Sequence, residues 1–347
     1  MSSIVSTQSI ASMLQQSILQ MQSDLATGET EMTTGTYADP GVTLGAGIGE
    51  SISLQSEAAY LQTITDTNQT VTTRLNTTQN ILSSLQSSAQ DLLNSLLQGN
   101  GSNSNAGSIQ ALGQSNLQNL ISSLNTSLNG DYIFAGTNTS SQPIADYYAP
   151  AAPNKAATDA AFLAAFGVPQ TSSSVSAITG PTMQNFLNNQ FSSLFQGTSW
   201  SNNWSSASSQ TLTNQISGSQ TVNSSVSANN PAFQQLAQAY TMIADLGTQN
   251  LNAAAYQAVT ATAQTLLSSA IGNLVNLQAS VGLTQSNVSS ATNQMSAEMN
   301  ILGTQIGNLD NVNPYEVATR VNNLQTQIQT AYSLTAQLQQ LSLVKYL

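Results

Sequence analysis

The chain has 347 residues, of which 40% are hydrophobic, so it is long enough and apolar enough to form more than one packed region. Charged residues make up only 5% of it, against roughly a quarter in ordinary globular proteins. Four Lys and Arg residues oppose 15 Asp and Glu residues, for a net charge of -11, and this excludes a nucleic-acid-binding surface built on clustered cations.

The residue types needed for most catalytic chemistry are absent. The sequence contains no His and no Cys, which excludes imidazole and thiolate catalysis, the usual zinc ligands and disulfide bonds. The carboxylates nearest in sequence, Glu29 with Glu31 and Asp310 with Glu316, match no recognised catalytic pattern. We predict that these acids are solvated or lie at helix ends. We therefore predict no enzyme activity and no catalytic, cofactor or metal site.

The first predicted element is a helix with a heptad repeat. Its apolar residues recur every seven positions, with two more at the intervening positions: Ile4, Ala11, Ile18, Leu25, Met32, Leu14 and Met21. This spacing is typical of a coiled-coil seam. The seam is short and has few charges that could select a partner, so we expect it to order mainly against other chains. Pro40 and the glycines around it then predict a turn or an irregular crossover.

Three further helical regions follow in chain order. A long seam between Ile52 and Leu97 predicts a helix of about forty residues, roughly 60 Å long. A polar run rich in Gly, Ser and Asn ends it, and a third helix is predicted from Ile109 to Leu128. Helical periodicity returns from Pro231 onward, and Pro314 suits the first turn of a last helix.

We predict that apolar side chains at both chain ends pack between copies of the protein. The residues concerned are Ile4, Leu14, Ile18, Met21, Leu25, Val317, Val321, Leu324, Ile328, Leu338 and Leu341. Two short terminal helices bury too little apolar surface together to offset their ordering entropy comfortably. Neighbouring chains would supply the missing surface.

The period changes between Asp131 and Asn230, where a separate mixed domain is predicted. The stretch begins behind an Asn-Gly pair, with Gly130 at a position that suits a helix C-cap. Tyr132, Ile133 and Phe134 then predict a strand or hairpin. In a strand, Tyr132 and Phe134 would point to one side and Ile133 to the other.

Three segments resemble the flagellin superfamily, and within it the hook-filament junction proteins, also called hook-associated proteins, of the alphaproteobacterial type. They are TGTYADPGVTLGAGIGESISLQSE from Thr34, NGDYIFAGT from Asn129, and the C-terminal stretch that begins NLDNVNPYEVATRV. The second carries the family motif G-x-Y-I-F-A-G, with Gly130, Tyr132, Ile133, Phe134 and Gly136. The resemblance covers about two-thirds of the chain, at both ends.

This resemblance implies a structural subunit of the bacterial flagellum that joins hook to filament. It implies terminal helices that form the inner shell of an axial tube, and a middle domain that faces solvent. The implied partners are copies of the chain, another hook-associated protein, flagellin and an export chaperone, with no nucleic acid and no membrane. The implied location is extracellular, after type III export without a cleaved signal peptide, and indeed no basic segment precedes an apolar block at Met1. No window holds 18 consecutive apolar residues, so no membrane-spanning segment is expected.

The predicted fold is mainly α. It is a long coiled-coil-like helical rod built from both termini, with an inserted mixed or β-containing outer domain. The predicted divisions are an N-terminal assembly helix and crossover (1–40), the N-terminal half of the rod (41–130), the outer domain (131–230), the C-terminal half of the rod (231–300) and a C-terminal assembly helix (301–347).

Two alternatives remain open. One is a flagellin that forms the filament itself. The other is an exported adhesin or binding module whose middle domain grips a ligand, with Trp200 and Trp204 as candidate contacts.

Overall fold

The computed structural model describes residues 7–99, 101 and 103–344. The fold is mainly α, and the predicted arrangement of long helices contributed by both ends, with a small sheet-containing insert, is confirmed. The helices are α1 (Thr7–Thr34), α2 (Pro40–Leu44), α3 (Ile48–Gln98), α4 (Ala106–Leu124), α5 (Pro153–Phe166), α6 (Gly180–Phe186), α7 (Gly197–Asn203), α8 (Pro231–Asp245), α9 (Ala253–Asp310) and α10 (Pro314–Val344). The strands are β1 (Ser127–Leu128), β2 (Asp131–Tyr132), β3 (Thr213–Gln215) and β4 (Thr221–Asn223), paired as the antiparallel hairpins β1–β2 and β3–β4.

The chain divides into two compact units, and the boundary falls within both α3 and α9. The terminal unit combines the residues up to Thr63 with those from Met295 onward, so the two ends of the chain share it. It contains α1, α2 and α10. The central unit spans Ile64–Gln294 and contains α4 to α8 and both hairpins.

The seam predicted for α3 is buried in the central unit. Its members are Val71, Leu75, Thr78, Leu82, Leu85, Ala89, Leu92 and Leu96. Their spacing of three and four residues places them on one face of the helix, and they share one hydrophobic core with residues of α4, α8 and α9. Each fully buried Leu stabilises the unit by about 1.5–3 kcal/mol relative to an exposed one. The apolar pattern therefore accounts for the part of α3 that lies in the central unit.

Helices α4 and α8 pack closely because a glycine lies between them. A Cβ atom on Gly113 would lie 2.7 Å from Cγ2 of Ile243 and 3.2 Å from the backbone nitrogen of Ala244. Helix α8 is buried on nearly all sides, and it begins at Pro231 with the Asn230 side chain capping the nitrogen of Ala232. It is the central helix of this unit.

Helix α4 ends four residues earlier than predicted. The Asn125 side chain donates to the backbone oxygen of Ile144 and accepts from its nitrogen, at 2.9 Å each. The hairpin β1–β2 follows, so residues up to Leu128 do not continue the helix. Gly130 is not a helix C-cap, because it lies in the two-residue loop of that hairpin beside Asn129. Both loop residues have positive φ, at 55° and 92°, which suits a tight hairpin turn.

A continuous column of aromatic rings forms the core of the inserted region. Tyr147, Trp204 and Trp200 stack at 5.5 Å centroid separations, and Phe195 contacts Trp204 at 5.2 Å. The column continues through Phe191, Phe186, Phe166 and Phe162. Large rings stabilise such a core through buried area and edge contacts. This small region therefore folds around aromatic packing instead of a heptad seam.

Helix α9 has one property that its helical periodicity did not suggest. By length and composition it holds an 18-residue window of mean hydropathy 1.2, apolar enough to cross a bilayer. A core helix of a soluble protein passes the same test, so the finding is weak evidence for a membrane span. Buried residues of α9, such as Val259, Leu274 and Val288, belong to the core of the central unit.

Replacing Gly113 with Ala is expected to destabilise the protein by about 1–2 kcal/mol. The new methyl group overpacks the α4–α8 contact by more than the helix gains from Ala. The matched control is Gly272→Ala in α9, where nothing lies within 4 Å of the new atom and stability should rise by about 0.5–1 kcal/mol. Urea unfolding measures both, and equal effects would contradict the close contact.

The central unit is expected to lose stability in alkaline solution. Burial, reinforced by the Asp245 carboxylate, raises the pKa of Tyr147, whose hydroxyl donates to Asp245 Oδ2 at 2.7 Å, and the same causes raise the pKa of Tyr148 to about 12. Because these values exceed the unfolded value of about 10, the stabilisation is complete below pH 10 and is lost above it. Tyr147→Phe should make that decline shallower in urea midpoints measured across this pH range. Parallel declines would contradict the assignment.

Candidate functional site

The candidate site is the antiparallel pair formed by α1 and α10 in the terminal unit. Gln22 donates to the hydroxyl of Tyr332 at 2.8 Å, and Gly28 lies against Val321, so positions that rise along one helix fall along the other. Ile18, Val321 and Ile328 are buried on the facing sides. The two chain ends therefore pack against each other within one molecule, a pairing that the sequence did not reveal.

The predicted packing residues occupy this pair to different extents. Ile18, Val317, Val321 and Ile328 are buried. The half-buried members are Leu14, Met21, Leu25, Leu324 and Leu338. Ile4 and the side chain of Leu341 lie outside the described residues. Within one chain the seam is thus covered only in part.

Gly28 sets how closely the two helices approach. A Cβ atom there would lie 2.9 Å from Cγ2 of Val321, nearer than side chains tolerate. Gly28 follows Leu14 and Met21 at seven-residue spacing, so it occupies the same seam. A glycine at a seam position indicates close contact between two helices. The sequence prediction did not use this signal.

An ion pair joins α10 to α1 close to Gly28, at the C-terminal end of α1. The guanidinium of Arg320 donates to Glu31 Oε2, while the backbone nitrogen of Ala38 donates to Oε1 at 3.4 Å. Glu31 is 5% exposed and so is not solvated, but it lies in the last turn of α1, which is the helix-end position given as the other alternative. A buried carboxylate is costly unless it is paired and hydrogen-bonded, and here it is both.

A second buried carboxylate, Asp310, joins the turn after α9 to the start of α3. Ser51 Oγ lies 2.8 and 2.9 Å from its two carboxylate oxygens, and Gln55 Nε2 donates at 2.8 Å. Asp310 is the last residue of α9, as a helix-end charge, but it is 6% exposed and not solvated. Its partners are more than 250 residues away in sequence, so no local pattern indicated them.

The backbone adds a short bridge beside Asp310. Tyr37 N donates to the Asp310 carbonyl and Val312 N donates to that of Gly35, each at 3.0 Å. Thr36 and Asn311 form an antiparallel bridge between these bonds. The crossover after α1 is therefore held to the turn between α9 and α10.

A shallow groove runs along the α1–α10 pair. Its volume is about 530 Å³, and it is lined by Leu14 and Met21 of α1 and by Asn323, Thr326, Gln327, Thr330, Ala331 and Leu334 of α10. Leu334 is 49% exposed. The lining combines apolar side chains with uncharged amides and hydroxyls, which suits a neighbouring helix of the same composition.

The family motif lies in the central unit, where α4 leads into the insert. Tyr132 ends β2 and is half-buried, whereas Ile133 and Phe134 are both buried, so the predicted alternation stops after Tyr132. The Phe134 ring meets Phe233 of α8 edge-on at 5.6 Å. The strand is only two residues long because the chain turns inward to reach this core.

Gly136 is required because another chain segment, the loop that carries Ser208 and Gln210, approaches it closely. Its φ is +62°, and a Cβ atom would lie 2.2 Å from the Ser208 carbonyl oxygen and 2.5 Å from that of Gln210. Next to it, Ala135 accepts a hydrogen bond from Ser208 N at 2.9 Å. The motif therefore has a structural role, since it lets the loop before β3 pack onto the end of the first hairpin.

The tryptophans proposed as ligand contacts are not accessible. Trp200 is 2% exposed and Trp204 is 1% exposed, and both belong to the aromatic column. The prediction that they contact a ligand is wrong. In a region with so few charges, two tryptophans indicate a hydrophobic core.

Removing the cation of the Glu31–Arg320 pair is expected to destabilise the terminal unit. Arg320→Met leaves a buried carboxylate unpaired and should cost about 1–3 kcal/mol, the lower part of the range reflecting the exposure of Arg320. The double variant Glu31→Gln with Arg320→Met should recover much of that loss. Amide hydrogen exchange of α1 and α10 measures both, and a double variant no better than the single one would contradict the role of the buried charge.

Gly136→Ala is expected to disrupt the inserted region more than Gly130→Ala does. Both positions have positive φ and so share the backbone strain of Ala, but only Gly136 faces carbonyl oxygens inside contact distance, whereas nothing lies within 4 Å at Gly130. Gly130→Ala should cost about 1 kcal/mol. Tryptophan fluorescence during urea unfolding compares the two, and similar midpoints would contradict the packing at Gly136.

Comparison with known proteins places these features in a family. Residues 5–139 match the bacterial flagellin N-terminal helical region, and residues 264–347 match the bacterial flagellin C-terminal helical region. The chain is also similar to a solved structure described as a flagellar hook-associated protein from Vibrio parahaemolyticus, with a TM-score of 0.52 and 11% identity over 76% of this chain and 97% of the other. At this identity the similarity supports the fold alone. No curated protein sequence matches the chain. The two family matches together span more than half of the chain, which is a structural, non-enzymatic member of the flagellin superfamily.

Proposed function

We propose that this flagellar subunit is a hook-filament junction protein that assembles through its paired terminal helices. The observation that carries the proposal is the α1–α10 pair, which buries part of its seam and leaves a groove beside it. Membership of the superfamily implies self-association and contact with neighbouring axial proteins of the extracellular flagellum. The groove suits such a contact because apolar side chains and uncharged amides and hydroxyls line it.

The distribution of exposed apolar side chains supports assembly through the terminal unit. Most of the large hydrophobic side chains that are exposed among the described residues belong to this smaller unit. Met13, Leu19 and Met32 of α1 are 67%, 60% and 57% exposed. The central unit instead places its apolar residues in one core. Covering the terminal residues with sister helices would remove apolar surface from water at about 25 cal/mol per Å².

Charge is a weak guide to the partner. The three cations among the described residues, Arg74, Lys155 and Arg320, each lie within 4 Å of a carboxylate of the same chain. They are therefore not free to select a neighbour by charge. Shape and the pattern of amides and hydroxyls along the groove would specify the contact, as in the uncharged seam of a coiled coil.

The junction role, as opposed to a filament-forming flagellin, is supported by the motif that ends at Gly136. The segment GDYIFAG resembles junction proteins, and the solved structure with a similar fold is described as a hook-associated protein. In this proposal the terminal helices form the inner shell of the axial tube, the middle domain (131–230) faces solvent, and the chain reaches the flagellum by type III export with an export chaperone. The flagellin alternative shares the same packing physics. The adhesin alternative has lost Trp200 and Trp204 as contacts, since both are buried.

Placing a charge in the groove is expected to block assembly without unfolding the chain. Leu334→Glu puts a carboxylate on an exposed lining residue, where a packed neighbour would have to desolvate it. The matched control is Gln325→Glu, which adds the same charge to an exposed position of α10 outside the groove. Light scattering and circular dichroism should show lost association with unchanged helicity only for Leu334→Glu. Normal assembly by that variant would contradict the proposed interface.

The form of the assembled protein separates the junction role from the filament role. Electron microscopy of the purified chain under polymerising conditions should show rings or short stacks of subunits. A junction layer requires contacts that end after a few subunits, whereas a flagellin propagates them. Extended filaments grown from this chain alone would establish the flagellin alternative and contradict the junction role.

A further inference from the structure

The central unit contains a cleft that neither the aromatic column nor the terminal helices use. It has a volume of about 400 Å³ and lies among α3, α9, β4 and the segments on either side of the second hairpin. This volume falls within the range of small-ligand pockets. Its floor is aliphatic, formed by Leu75, Val222, Val226, Leu277 and Val281.

The wall of the cleft is held in place by one asparagine. Asn229 Oδ1 accepts from Trp200 Nε1 at 2.9 Å and from Ser205 Oγ at 2.7 Å. Its Nδ2 donates to the Ala207 carbonyl at 2.8 Å and to Ser209 Oγ at 3.1 Å. The side chain is thus fully hydrogen-bonded inside the protein, and these bonds position Asn229 before any ligand arrives, which lowers the ordering cost of binding.

Other lining groups keep their hydrogen-bonding capacity. Within the described part of the chain, the side chains of Thr211, Asn223 and Ser280 make no hydrogen bond that the structure records, and all three line the cleft. Asn230 uses its side-chain oxygen to cap α8 and keeps its amide NH₂ available. Hydrogen-bond donors and acceptors are therefore available beside the aliphatic side chains that line the cleft.

The lining residues include no Asp, Glu, Lys or Arg. A charged ligand would lose its hydration there without a counter-charge, which is costly. A purely apolar ligand would leave the free hydroxyl and amide groups without partners. A ligand with C–H faces and many uncharged hydroxyl groups satisfies both surfaces. We propose that this cleft binds a neutral saccharide of one or two rings, a second activity that does not depend on the assembly role.

An added peptide strand fits the same site less well. The bonds from Ser224 N to Leu212 O and from Ile216 N to Gln220 O fix the alternation in the second hairpin, so Thr221 and Asn223 direct their backbone groups to the outer edge of β4. Of these two, only Asn223 lines the cleft. A strand would therefore pair with a single residue here, whereas a saccharide uses the side chains all around.

Saturation-transfer NMR on the full chain tests the proposal with maltose, lactose, cellobiose and N,N′-diacetylchitobiose as neutral probes. Galacturonic acid and a Ser/Thr-rich heptapeptide serve as the charged and peptide probes. We expect transfer from the protein to at least one neutral saccharide and none to the uronate. Transfer to the peptide alone, or to no neutral saccharide, overturns the proposal.

Two variants locate the binding. Ser280→Phe fills the cleft from an exposed position of α9 and should abolish saccharide binding, and Asn223→Ala should weaken it several-fold. The matched control is Ser289→Phe, nine residues or about two and a half turns further along α9, which is an exposed position on the opposite face. Binding that survives Ser280→Phe, or that Ser289→Phe abolishes equally, contradicts the assigned cleft. Unchanged circular dichroism confirms that each variant is folded.

Discussion

The rest of this structure depends on the burial of apolar side chains that recur every three or four residues along the helices. With charges on only 5% of its residues, the chain has little electrostatic means of holding helices together. The seam of α3 is complete in the central unit, where Leu82 and Leu92 are fully buried. The seam of α1 and α10 is only partly covered. This difference separates a self-contained unit from one that is suited to pack against other chains.

A few of the charged residues are paired within the fold. Glu31 and Asp310 are buried in the terminal unit with Arg320, Ser51 and Gln55 as their partners, and Lys155 lies 2.9 Å from Asp159 and 3.1 Å from Asp245 in the central unit. Such contacts contribute more to geometry than to net stability, because desolvation offsets much of the attraction. The remaining carboxylates give the surface one sign of charge. Contacts between copies would then rely on uncharged side chains, which fits the amides and hydroxyls that line the groove.

Much of the fold was predictable from the sequence because helix periodicity is local. The long helices and Pro314 in the first turn of α10 follow from residue type and spacing, although Gly130 lies in a hairpin turn and not at the helix C-cap that was predicted. The pairing of α1 with α10 did not, since Glu31 and Arg320 are 289 residues apart. The need for glycine at Gly136 is also a property of the fold, because it arises where the carbonyl oxygens of a distant loop approach the backbone. A resemblance could flag that residue, but only the structure explains it.

Amide hydrogen exchange of α1 and α10, compared between the dilute chain and the assembled state, tests the central claim most directly. The account predicts incomplete protection of both helices in the dilute chain, because the seam is only partly covered there. Protection around Leu14, Met21 and Leu334 should rise on assembly, while that of the central unit stays the same. Full protection of both helices in the dilute chain, with no change on assembly, would contradict it.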